Sequence, residues 1–228
     1  VAGVTAVATG VVAITKSAIS NFGEYEQLVG GVETLFKDSS NKVINYANNA
    51  YKTAGLSAND YMSTVTSFTA SLLQSLGGDT SKAADVANMA LTDMADNANK
   101  MGTEMSSIQD AYQGFAKQNY TMLDNLKLGY GGTKTEMERL LKDAQKISGV
   151  KYNIDNLNDV YQAIHVIQGE LDITGTTAKE ASTTIQGSIS SMKAAWTNLI
   201  TGMADENANF DNLMENFIDS IQTVFANI

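Results

Sequence analysis

From Tyr25 onward, apolar side chains recur at spacings of three and four, the period of a helix with one buried face. Tyr25, Leu28, Val29, Val32, Leu35 and Phe36 draw the first stripe. Val43, Tyr46, Ala47, Ala50 and Tyr51 continue it as far as Gly55, a C-terminal stop. Ser57 with Asp60 forms a capping-box pattern ahead of Tyr61, Val65, Phe68, Leu72 and Leu76, and Gly77-Gly78 ends that run. Asp79 or Thr80 caps the next helix, with Ala83, Val86, Ala87, Ala90, Met94 and Met101 inward. Thr103 caps another, with Ile108, Ala111, Tyr112 and Phe115 inward, and Leu123 to Leu128 reads as the end of a helix. Past a glycine cluster, Met137, Leu140, Leu141, Ala144 and Ile147 make a stripe that Gly149 breaks. Asn156 with Asp159 caps a helix through Val160, Ile164 and Ile167. Thr177 with Glu180 starts one that carries Ile185, Ile189, Met192 and Trp196 inward. Phe210, Leu213, Met214, Phe217, Ile218, Ile221, Val224 and Phe225 form the clearest stripe of all, over about four turns.

No run alternates with period two, no heptad seam is long enough for a continuous coiled coil, and no strict repeat is present. The pattern therefore predicts an all-α fold: a multi-helix bundle or helical array with Gly-containing corners and no sheet. Composition agrees. The 228 residues contain no proline, which interrupts helices, and no cysteine, which excludes disulfides and thiolate metal sites. Hydrophobic residues make up 43% and charged residues 18%, enough apolar surface for a packed core. The net charge of −10 disfavours binding to nucleic acid or anionic lipid through bulk electrostatics.

The chain begins with Val rather than Met, which reads as an excerpt or a processed product. Its first fourteen residues are uncharged but too short for a membrane-spanning helix of about 20 residues. Residues 1–20 are expected to be an apolar small-residue helix packed on partners, or the remainder of a preceding hydrophobic segment. Residues 21–228 are expected to form the helical core.

Candidate chemistry is sparse. DNLKLGYGGTKTEMERLLKDA, residues 124–144, sets three glycines before Lys134-Thr135, as a phosphate cradle would. The P-loop spacing fails, because Thr133 rather than Gly precedes Lys134. Counted from Gly129, the sixth position of a dinucleotide fingerprint is Lys134, not Gly. The better expectation is a helix–loop–helix corner. Gly129, Gly131 and Gly132 would supply positive φ, Thr133 would cap the next helix, and Glu136 would complete a capping box. His165, the one histidine, lies among apolar residues and reads as a partly buried packing residue or a lone general base. Asp93 with Asp96, Glu104 and Glu206 are checked as carboxylates for glycoside hydrolysis and read as solvated helix faces. The expectation is no catalytic, cofactor-binding or metal residue, no cofactor and no enzymatic activity. After Lys193 there is no Lys or Arg, so Asp205, Glu206, Asp211, Glu215 and Asp219 give −5 over the last stretch. Three of them, at spacings of four, share the face opposite the last apolar stripe.

FAKQNYTMLDNLKLGYGGTKTEMERLL, from Phe115 to Leu141, resembles a signature of tape-measure proteins of long-tailed bacteriophages and of Gram-positive prophages. LTDMADNANKMGT from Leu91, AIHVIQGELDITGTTAKEAS from Ala163 and AAWTNLITGMADENANFDNL from Ala194 are similar to the same family. The resemblance covers roughly residues 20–225. It implies a structural segment that sets tail length, occupies the tail tube and is released during genome ejection. Its implied partners are other copies of itself and the tail tube, tail tip and tail assembly chaperone proteins, with transient host-membrane contact and no specific nucleic acid binding. Its implied location is the tail-tube lumen of the virion, and the host cytoplasm during assembly. Fully helical and straight, 228 residues would span about 340 Å, whereas the glycine breaks predict a chain folded back on itself. Two alternatives remain open: a cell-wall-hydrolase part of the same polypeptide using Glu104 or Glu206, and a membrane-active helical protein.

Overall fold

The computed structural model describes the backbone of residues 2–228 and the side chains of residues 14–228. The apolar segment expected over residues 1–20 therefore lies largely outside the described side chains. The architecture is all-α, with no strand among the described residues. The helices are α1 Ala2–Phe36, α2 Ser40–Thr53, α3 Ala58–Ser75, α4 Thr80–Met101, α5 Met105–Ala116, α6 Lys134–Ser148, α7 Leu157–Glu170, α8 Thr176–Thr183, α9 Ile185–Gly202 and α10 Phe210–Ala226.

α4 is the hub, touching α1, α2, α3, α5, α7 and α8. Its packing surface is small: Ala83, Ala84, Ala87 and Ala90 are fully buried and let neighbouring backbones approach closely. Larger side chains fill the spaces around it. Tyr61, Phe68, Tyr112 and Tyr161 are all buried, and the Phe68 and Tyr161 rings meet edge to face at 5.5 Å. Each tyrosine hydroxyl carried inside needs a partner. Tyr61 donates to Asn88 Oδ1 at 2.9 Å and Tyr161 to the Tyr112 carbonyl at 3.0 Å, whereas the Tyr112 hydroxyl itself is buried without a partner. α6 packs chiefly on α7, whereas α8 and α9 lie against the α1, α2 and α4 side and α10 packs on α9.

The caps explain most element ends. Ser57, Asp79, Thr133 and Asn156 each accept a backbone N–H three residues on, as their spacing predicts. Gly102 and Gly149 stop α4 and α6 in the left-handed region, with φ of 63° and 73°. Other expectations fail. Glu104, not Thr103, precedes α5, and the Thr103 hydroxyl donates to the Asn125 carbonyl instead. Leu123 to Leu128 is no helix end: α5 stops at Ala116, and only a 3-10 turn, Leu123–Leu126, interrupts the following loop. That loop is nevertheless anchored, because Leu123 and Leu126 are buried in the core. Ile147 is exposed, one position off the buried face defined by Met137, Leu140, Leu141 and Ala144.

The glycine corner is a reversing loop, but not by the mechanism its composition suggests. Only Gly129 of the three glycines has positive φ, at 86°. Gly132 is needed for space: a Cβ there would run into the Thr121 carbonyl. A Cβ on Gly131 would meet only Glu136 Cγ, at an ordinary 3.5 Å. Gly132→Ala should therefore cost about 1–3 kcal/mol, as overpacking does, and Gly131→Ala should stay within about 0.5 kcal/mol of the parent. Urea denaturation of the two variants checks this; equal losses would contradict the crowding explanation.

Candidate functional site

The corner that resembles a phosphate cradle already holds an anion. Glu136, in the first turn of α6, accepts the Gly131 N–H through Oε2 at 3.1 Å. This differs from a closed capping box, in which that carboxylate would return to Thr133. Arg139 binds the same carboxylate at 2.6 Å, donates to the Gly129 carbonyl at 2.8 Å and lies over the Tyr130 ring, 4.3 Å from its centroid. The Arg139 hydrogen bond holds Glu136 below the usual carboxylate range. A phosphate entering here would meet that carboxylate at the position it needs.

Among the described residues, a dense buried polar cluster lies elsewhere, on one turn of α4. Asp93 and Asp96 were expected on a solvated face, but they are 1% and 0% exposed. His165, on α7, places Nδ1 at 2.9 Å and 3.0 Å from the two Asp93 carboxylate oxygens. The ring is half-buried and packs against α4, so the packing reading of His165 gains a charged partner. Gln168, one turn further along α7, donates to the Asp93 carbonyl at 3.2 Å. Asn97 donates to Gln168 Oε1 at 2.8 Å and to the Leu126 carbonyl at 3.0 Å. Asp96 reaches α8, accepting the Gly175 N–H at 2.6 Å and the Thr177 N–H at 2.8 Å. The N-terminus of α8 is thus capped by a carboxylate from another helix, where the helix dipole favours negative charge. Thr177 is consequently inside α8 rather than its cap.

This arrangement binds elements together. The pair Asp93–His165 has the look of a base and its orienting carboxylate, yet both Asp93 oxygens are occupied by the same ring nitrogen and the carboxylate is sealed from solvent. Glu104 and Glu206 are exposed and belong to different parts of the chain's surface, on the α4–α5 and α9–α10 connections. Among the described residues no group of three or more His, Asp or Glu is placed to hold a metal ion, and no helix is long and apolar enough to cross a membrane.

The α9–α10 hairpin is built differently from the core. α9 begins afresh at Ile185, after Thr184 caps it by accepting the Gly187 N–H at 3.0 Å. Its buried face is small and partly polar: Ser188, Ser191, Ala194, Ala195, Leu199 and Ile200. The large residues expected inside sit outside or part-way: Ile185 and Trp196 are exposed, and Ile189 and Met192 are half-buried. α10 is seated on α9 by Leu213 against Gly202 and by Phe217 against Trp196, ring centroids 5.0 Å apart. Ser220 is the one buried residue of α10. Leu213, Met214, Phe217, Ile221 and Val224 are half-covered, whereas Phe210, Ile218 and Phe225 are exposed, Phe225 at 72%. Seven of the thirteen exposed large apolar residues lie between Ile185 and Ile228, so the uncovered apolar surface concentrates on this hairpin. Asp211, Glu215 and Asp219 are exposed beside it.

The buried cluster generates two predictions. Hydrogen bonding to Asp93 raises His165 above its ordinary 6.5, so its contribution to stability is complete below about pH 6.5 and is lost as pH rises through the raised value. Burial raises Asp93 as well, and that contribution is lost with rising pH over a separate window that begins at its ordinary 3.8. The melting temperature should therefore fall between mildly acidic and mildly alkaline pH, and His165→Gln should flatten that profile. Asp96→Ala leaves two N–H groups unpaired and should destabilise by about 2–4 kcal/mol. Amide exchange should quicken first in α8.

No family model matches the chain, and neither a curated protein nor a solved structure shows significant similarity to it.

Proposed function

We propose that this chain is a structural, non-catalytic segment of a phage tail tape-measure protein. Its role would be to set tail length, occupy the tail tube and leave during genome delivery. The observation that carries the reading is the combination of four long stretches resembling that family with an all-α fold whose last hairpin leaves its apolar face half-covered. A large apolar side chain contributes roughly 1.5–3 kcal/mol when fully buried, so Phe210, Ile218 and Phe225 hold free energy for an assembly contact. Neighbouring copies and tail proteins are the occupants the resemblance implies. The exposed acidic row Asp211, Glu215 and Asp219 would disfavour adhesion of a passing nucleic acid.

Two measurements test this. Duplicating residues 21–228 in frame within the parent polypeptide should lengthen the tail, by about 310 Å if the added helices lie end to end; an unchanged tail length in electron micrographs overturns the ruler role. Ile218→Asp with Phe225→Asp should leave the helical signal and melting temperature nearly intact while abolishing co-purification with tail proteins. Loss of the fold would instead place that face inside the bundle.

A further inference from the structure

The opposite flank of the same hairpin carries a cleft that its assembly role does not use. It holds about 430 Å³ and opens between α1, α2, the N-terminus of α3 and the α9–α10 corner. That volume lies within the range of small-ligand sites, about 300–1,000 Å³. Seven asparagines line it, with one carboxylate, Asp205, and no Lys or Arg.

The lining is only partly satisfied by the protein. Asn198 uses Oδ1 to accept the Ala58 N–H at 2.8 Å, which caps α3 from α9. Asn216 donates through Nδ2 to Asn212 Oδ1 at 2.9 Å. Among the described residues, Nδ2 of Asn198, Nδ2 of Asn212 and Oδ1 of Asn216 have no protein partner, which leaves donors and an acceptor free on residues that line the cleft. Tyr25 adds a half-buried phenol, kept protonated by burial and then by the nearby Asp205. Leu213 supplies an apolar patch beside these groups.

An anion would meet Asp205 with no cation to offset it. A hydrophobic ligand would strand the free amides, each costing about 1–3 kcal/mol if buried without a partner. A neutral ligand dense in hydroxyl or acetamido groups pairs with both donors and acceptors and offers a C–H face to Tyr25 and Leu213. We propose that this asparagine-lined cleft binds a short neutral oligosaccharide. A peptide backbone offers the same donors and acceptors and is therefore the competing arm of the test.

Titration calorimetry and amide chemical-shift mapping would use triacetylchitotriose, maltotriose and cellotriose as probes, with triglycine as the peptide arm. The expected result is saturable binding of at least one trisaccharide, with shifts at Asn198, Asp205 and Asn212. Asn212→Ala combined with Asn216→Ala removes a pair whose side-chain hydrogen bond is mutual and should weaken that binding at least tenfold. The variant's melting temperature should stay close to the parent's; if it falls, the shift map on the unaltered protein decides. Saturation by none of the sugars, saturation by triglycine alone, or sugar shifts mapping outside the cleft would overturn the proposal. The outcome is independent of tail-length control.

Discussion

Everything around α4 depends on one turn of it, the turn that buries Asp93, Asp96 and Asn97. The alanine-rich surface of α4 permits close approach but carries little shape, so apolar contact alone would leave neighbouring helices free to slide or rotate. Polar groups remove that freedom. Asp93 and Asn97 fix α7 through His165 and Gln168, and Asn97 ties down the loop at Leu126. Asp96 holds the start of α8. Moving any of these elements by one residue would leave a buried carboxylate or amide unpaired, at a cost larger than most single apolar contacts contribute. The net stability of a domain this size is only about 5–15 kcal/mol, so the native arrangement is strongly selected over its near neighbours.

The helical class was legible because stripe, cap and breaker agreed along the chain. Ser57, Asp79, Thr133 and Asn156 lie where local hydrogen bonding alone decides the structure, and they cap as their spacing predicts. Reading failed where a distant partner decided. Thr177 looks like a cap until Asp96, eighty-one positions earlier, takes that role. Asp93 and Asn97 look solvated as residue types, yet they continue the inward stripe of Val86 and Ala90 at the same three-and-four spacing. That register was the available signal, and it outweighs the polarity of the side chains. The asparagine cleft had a weaker signal, the density of Asn between Asn198 and Asn216, and its other wall comes from α1 and α2, far away in sequence.

The failure at α9 has a different cause. Ile185, Ile189, Met192 and Trp196 keep perfect helical spacing, and spacing shows that a face is apolar without showing what covers it. Here the helix buries its serine and alanine side against α1, α2 and α8, because small residues let those backbones come close. The large residues are left to meet α10, which covers them only in part.

The two halves of the molecule therefore differ in how completely they are built. The core around α4 has most of its buried polar groups paired, Asn97 Oδ1 and the Tyr112 hydroxyl excepted, and its large side chains enclosed. Within the hairpin, α10 is held on α9 by a glycine seat at Gly202, by the aromatic contact of Trp196 with Phe217, and by the Asn227 amide on the Thr184 carbonyl at 3.2 Å. Its acidic row, at spacings of four, repels itself by a few tenths of a kcal/mol per pair. With one buried residue and an exposed apolar face, α10 belongs to the low end of local stability. Opening it would expose the rest of the apolar stripe and dismantle the asparagine cleft together, because Leu213, Asn212 and Asn216 belong to the same helix. A partner that covers the stripe would stabilise α10 in place, and by linkage would favour whatever the cleft binds.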